Sequence, residues 1–313
     1  MLKGPQAKIL CLIDEEGDIS PKDMYEVRAR LPETAIVRFI PSITWGGISQ
    51  VKSWIEAMSY AHERLGSWEW IINLSAECLP LKSSVELNDF LAEGFRRNIV
   101  SYMLFYSDLG YKVDKKNVST NELVDGCEEM LRCDPRRISD YEVSRARIRA
   151  DAGQATEGIV QRMIMEWPFR GALRCNEIGN KRISLRRLTK IELDDRARFL
   201  STFGLSGGRA WFGFHRVMVS AILNSSITQQ LYNGLQHFLC PDEMFFQTLY
   251  NNISDKLPGH CEPFNFHFAQ GEPLQVSDEN SSEILSSDAW FVRKVSYHEC
   301  PAILNAVRDR VKS

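Results

Sequence analysis

The chain has 313 residues, 44% hydrophobic and 25% charged, with a net charge of -3. That suits one large or two ordinary globular domains with a sizeable core, and it excludes a nucleic-acid binder with the usual basic excess. No apolar run is long enough to cross a bilayer. The N-terminus passes into a strand-like run without a signal-peptide core, so a cytoplasmic protein is expected, with a basic stretch that reads first as solvated surface and, as the alternative, as a face for an anionic acceptor or for peripheral membrane contact. That stretch is residues 131–190, where Lys and Arg outnumber Asp and Glu roughly two to one. The eight cysteines are scattered without a Cys-x-x-Cys pair, which points to a reducing compartment and away from zinc or a disulfide framework.

In chain order, residues 8–13 read as a buried strand ending at Asp14, and a short amphipathic helix over 21–31 leads to a strand over 35–40. Such alternation is the α/β signature, and strand ends are where open α/β sheets place ligand contacts. Thr44-Trp45-Gly46-Gly47-Ile48-Ser49 opens a helix whose apolar positions run from Ile48 to Leu65 at one-face spacing. Its two glycines suit a tight turn that approaches a ligand or simply a loop. Residues 68–75 are continuously apolar, which predicts a central strand. Ser83 and Glu86 form a capping box for a helix running to about Ala92, with Gly94 as its stop. Residues 98–106 give another strand.

Residues 107–200 are polar and Arg-rich and predict short helices or loops, an irregular insertion. Order returns with Gly207-Gly208 and an aromatic strand through Phe214, followed by helices over 215–223 and 227–238. Pro241-Asp242-Glu243 then starts an apolar helix predicted to end at Asn251-Asn252, with Pro241 at its first turn. Its carboxylates face the positive end of the dipole, which suits a cap or a general base. Phe264 to Phe268, Trp290 to Val295 and a helix over about 301–311 complete a chain read as one domain.

Several of these stretches fall in one order: the strand ending in Asp14, Trp45 to Ser49, Asn73-Leu74-Ser75 through Pro80-Leu81-Lys82, Gly207-Gly208 through Trp211-Phe212, Pro241-Asp242-Glu243 with Phe246-Gln247-Thr248, and Phe291 to Lys294. In that order the chain resembles the core-2/I-branching N-acetylglucosaminyltransferase and peptide O-xylosyltransferase family. The resemblance implies a GT-A-like, Rossmann-type mixed sheet flanked by helices, in a single domain over 1–313. Residues 1–106 would form a nucleotide-sugar half, 107–200 an insertion and 201–313 an acceptor and catalytic half.

It further implies an inverting, metal-independent transfer from a UDP-sugar, N-acetylglucosamine first, to a glycan or glycosylated acceptor, with no cofactor. Glu243 matches the catalytic base, Lys294 with Arg293 the donor-diphosphate ligands, and Asp14 a nucleotide contact. Trp211, Asp242, Phe266, Phe268 and Glu77 are candidates for the acceptor and sugar. There are departures from the family pattern. Leu12-Ile13 and Glu15 flank Asp14 where a histidine and a basic residue are usual, and Cys78 stands where the family carries an aspartate. The family's first strand and helix have no counterpart before Asp14. These departures leave open a non-catalytic relative acting as a glycan- or protein-binding module, and a metal-dependent enzyme recruiting Asp14 or Glu77.

Overall fold

Apolar periodicity and local capping build an α/β fold of mixed sheets flanked by helices. The computed structural model describes residues 8–14, 22, 25–26, 29, 35–40, 42–105, 142–144, 173–178, 182–268, 276, 278–296 and 300–312. Strands β1 (Leu10–Asp14) and β2 (Ile36–Ile40) run parallel, with Asp14 opposite Ile40 at their C-terminal ends. Most of the helix expected over 21–31 lies outside the described residues.

The main sheet has the order β10 (His260–Glu262), β5 (Ile99–Phe105), β9 (Gly208–His215), β3 (Trp70–Ile72). β10 is parallel to β5, whereas β9 is antiparallel to both β5 and β3. β5, buried along almost its whole length, takes the interior position expected of residues 68–75. β3 is instead an edge strand among the described strands. The apolar run there has a different use. The Trp68 indole N–H donates to Ala61 O at 2.8 Å, and Trp70 packs on the Tyr102 and His215 rings. Tryptophans that brace helices and neighbouring rings look, by composition alone, like a strand buried on both faces.

On one face the helices Ser49–Arg64, Arg216–Asn224, Ser226–Leu235 and Phe245–Ile253 enclose a core around Phe212, Phe214, Phe245 and Phe246. On the other, helix Ser84–Arg96 carries the expected capping box, with both Ser83–Glu86 bonds formed. This helix runs past Gly94, which is no stop. A Cβ there would lie 2.1 Å from the Tyr102 hydroxyl, so the glycine lets the helix approach the sheet closely, and the turn falls at Asn98 with φ 60°.

A smaller sheet joins β4 (Leu79–Pro80), β12 (Phe291–Arg293) and β11 (Phe266–Phe268), with β12 central. β12 is antiparallel to β4 and parallel to β11, bringing segments from opposite ends of the chain together.

The insertion is more regular than its sequence suggests. β7 (Leu173–Glu177) and β8 (Arg182–Arg187) form an antiparallel pair, β6 (Glu142–Ser144) flanks β8, and a helix spans Lys190–Phe203 behind a Thr189–Glu192 capping box. Glu192 also bridges Arg174 at 3.0 Å and Arg186 at 2.7 Å. Arginines set between apolar residues hid the strand alternation. The remainder of 107–200 lies outside the described residues. No helix among the described residues is long and apolar enough to cross a membrane.

Candidate functional site

The loop leaving β3 is fixed to the sheet by Asn73. Its amide N donates to Ala210 O at 2.7 Å, and its amide O accepts from Phe212 N at 2.6 Å. The chain then turns tightly through Ser75-Ala76-Glu77-Cys78. Ser75 Oγ accepts from Glu77 N at 3.3 Å and lies 3.3 Å from Cys78 Sγ. Burial pushes the Cys78 thiol pKa up, opposed by the Ser75 hydrogen bonds and by the Arg293 charge. The thiol is therefore a neutral packing group where a carboxylate would have carried charge.

β12 lays Arg293 across this loop. Its Nε donates to Ser75 Oγ at 3.4 Å, and one terminal nitrogen lies 3.5 Å from Glu77 Oε2. The guanidinium carbon stands 4.7 Å from the centroid of the Trp211 ring. The backbone after Arg293 is held as well: Val276 N donates to Lys294 O, and Val295 N to Glu77 O. Arg293 and Lys294 thus sit on a strand end tied on two sides, with the guanidinium part-buried and pointed at the 75–78 loop.

The structure places the Trp211 and Phe266 rings in the interior. They stack at 5.7 Å, and Phe266 stacks in turn on Phe291. Both are less than a tenth exposed. Trp211 is a platform for Arg293, and Phe266 supports it, so packing accounts for both rings. Phe268 pairs with Arg293 across the strand ladder; the expectation for its ring lies outside the described residues.

Pro241-Asp242-Glu243 is not the first turn of the following helix. These residues make a separate 3-10 turn after Cys240 in the left-handed region, and the α-helix begins at Phe245 behind Met244. Met244, with φ −130°, breaks the continuity that the apolar pattern suggested, and it, not Asp242, holds the N-cap position. The helix continues through Asn251 and Asn252 to Ile253. Asn251 donates to Ser206 Oγ, and Asn252 donates both to Phe203 O and to the Thr248 carbonyl one turn back in its own helix, so neither side chain ends the helix. Asp242 is buried and Glu243 half-buried. The turn packs against β9, the strand that carries Trp211, and against helix Ser49–Arg64.

Gly46-Gly47 lies directly beneath this turn, with Cys240 N donating to Gly46 O at 2.9 Å. The close approach that Gly47 permits is made by Glu177. A Cβ on Gly47 would fall 1.9 Å from Glu177 Oε1, and that oxygen accepts from Ser49 N at 2.8 Å. A carboxylate from the insertion therefore sits at the positive end of the helix dipole. Asp14 belongs to a different corner, its Oδ2 accepting from Ile43 N at 3.3 Å at the C-terminal end of the β1–β2 pair.

The structure thus joins Glu77, Trp211, Phe266 and Arg293 in one cluster with Lys294 adjoining. Glu243 and Asp242 occupy a turn packed on the Trp211 strand, and Asp14 is held by the loop after β2. Ser75 and Glu177 escaped the sequence reading. Asn73-Leu74-Ser75 entered the sequence reading only as one stretch of the family resemblance, with no role for its side chains, although both of its polar residues build the loop.

Residues 12–123 match the family model described as Core-2/I-Branching enzyme. Over 99 residues the chain is 28% identical to Xylosyltransferase oxt of Drosophila melanogaster, a stretch covering 32% of this chain and 11% of the relative. The protein of the same name from Drosophila pseudoobscura pseudoobscura gives the same identity and coverage. The family match takes in Asp14, the Trp45-Gly46-Gly47 turn and the 73–82 loop; Pro241–Glu243 and Arg293-Lys294 lie beyond it. Over residues 12–123, then, the chain is similar to the Core-2/I-Branching enzymes.

Proposed function

We propose that the chain is an inverting glycosyltransferase that moves a sugar, N-acetylglucosamine first, from a UDP donor to a glycan hydroxyl without a metal. The observation that carries this reading is Arg293, stacked on Trp211 and aimed at a loop inside the family match. A sugar–diphosphate bond breaks readily only where positive charge meets the departing oxygens. A guanidinium fixed by a ring and a hydroxyl, with Lys294 beside it, supplies such charge without reorganising.

In the reaction the acceptor hydroxyl oxygen forms a bond to the anomeric carbon from the face opposite UDP. Glu243 takes its proton, the bond to the diphosphate oxygen breaks, and the electron pair leaves with UDP, held by Arg293 and Lys294. Asp14 contacts the nucleotide. Xylose is the second donor sugar to test, since the relatives bear the name xylosyltransferase.

A panel of UDP-sugars offered with glycan acceptors, with and without a strong chelator, tests the proposal by UDP release. Release with one donor and full activity in the chelator are expected. A non-catalytic glycan-binding relative is the second reading, favoured by one feature: buried Cys78 stands where the family carries a carboxylate. Glycan binding with no UDP release from any donor would establish it.

A further inference from the structure

Arg293 already has an anion beside it. Trp211 and Ser75 set the direction of the guanidinium, while Glu77 approaches from the more open side, Oε2 at 3.5 Å, with the two side chains 22% and 36% exposed. That distance is long for a charge-assisted hydrogen bond, and an ion pair so exposed is weak. The Glu77 backbone is secured independently of its carboxylate, its N–H donating to Ser75 Oγ and its C=O accepting from Val295 N. The carboxylate can therefore swing off the guanidinium while the loop and Arg293 stay in place.

We propose that Glu77 is a placeholder anion: it occupies Arg293 in the donor-free protein and yields that position to a diphosphate oxygen of the donor. This rests on the reading of Arg293 as a diphosphate ligand. Arg293 then exchanges one oxyanion for another as the donor binds and is never left uncompensated beside Trp211. After transfer, Glu77 competes with the product diphosphate for the same guanidinium and so promotes release of UDP. Glu77 is accordingly a positioning residue that touches Arg293, distinct from a sugar contact.

Calorimetric titration of UDP, inorganic pyrophosphate and uridine into the wild type, Glu77→Gln and Arg293→Ala tests this. Glu77→Gln removes the charge and keeps the shape. It should tighten UDP and pyrophosphate about fivefold, the scale of one screened ion pair, and leave uridine unchanged. A carboxylate that merely braces Arg293 has the opposite sign, so weaker or unchanged UDP and pyrophosphate binding in Glu77→Gln overturns the placeholder. If the wild type binds no UDP, or Arg293→Ala binds it equally well, the diphosphate reading itself fails. Should Glu77→Gln not fold, Glu77→Asp, one methylene shorter and out of reach of the guanidinium, must shift affinity in the same direction.

Discussion

Arg293 is placed over the Trp211 ring, its guanidinium carbon 4.7 Å from the ring centroid, and this contact decides which way the charge points. An arginine on a flexible surface strand would lose side-chain entropy on meeting an anion, whereas one held by an indole has already lost it. Trp211→Phe weakens the cation–π contact by about 0.5 kcal/mol. UDP affinity should fall roughly two- to threefold, as measured by calorimetry. Lys294→Ala should fall further because it removes a whole charge. Unchanged affinity in both variants would make the strand end a structural corner.

Glu243→Gln separates chemistry from binding. The substitution removes the base and little volume, so transfer should drop by about 100-fold or more, the scale of general-base catalysis, with UDP affinity unaltered. Paired initial-rate and binding measurements check it. Rates within a few-fold of the wild type would assign the turn to packing against β9 and helix Ser49–Arg64 alone.

What the sequence made legible was local. The Ser83–Glu86 capping box and the strand expected over 98–106 depend on residues a few positions apart, and both are present, the strand over Ile99–Phe105. Contacts between distant residues were not legible. Arg293 and Glu77 are 216 positions apart, and no spacing rule links them. Met244 shows a different gap, because an apolar residue in an apolar run gave no sign that the backbone would break there. Gly94 was read as a stop because a glycine late in a helix usually ends it; its use, contact with Tyr102 on a strand not yet placed, is tertiary.

That contact yields a stability prediction. Gly94→Ala gains about 1 kcal/mol of helix propensity but puts a methyl 2.1 Å from the Tyr102 hydroxyl, on a ring held among Trp70, Phe90 and Phe264. Overpacking of a rigid core costs about 1–3 kcal/mol, so the variant should be less stable on balance. The Tyr102 hydroxyl is buried with no hydrogen-bond partner among the described residues. Tyr102→Phe should therefore be nearly neutral alone and should restore most of the loss in the double variant. Urea midpoints of the four proteins form the cycle.

Stability should also fall in mild acid because of His215. This residue is the N-cap of helix Arg216–Asn224, its Nδ1 accepting from Val217 N at 3.3 Å. Only the neutral imidazole can accept there, and a proton would add positive charge at the positive end of the dipole. Burial lowers its pKa, with Glu69 opposing. The unfolded chain thus takes up the proton first, near the ordinary histidine value of about 6.5. The contribution of His215 is whole above that pH and is lost progressively as pH falls below it. His237 adds the same sign, its pKa lowered by burial and then by Arg174. His215→Asn keeps a capping acceptor that does not titrate, so urea midpoints measured between about pH 7.5 and 5 should decline less steeply than in the wild type. Equal slopes for the two proteins would show that the cap survives protonation.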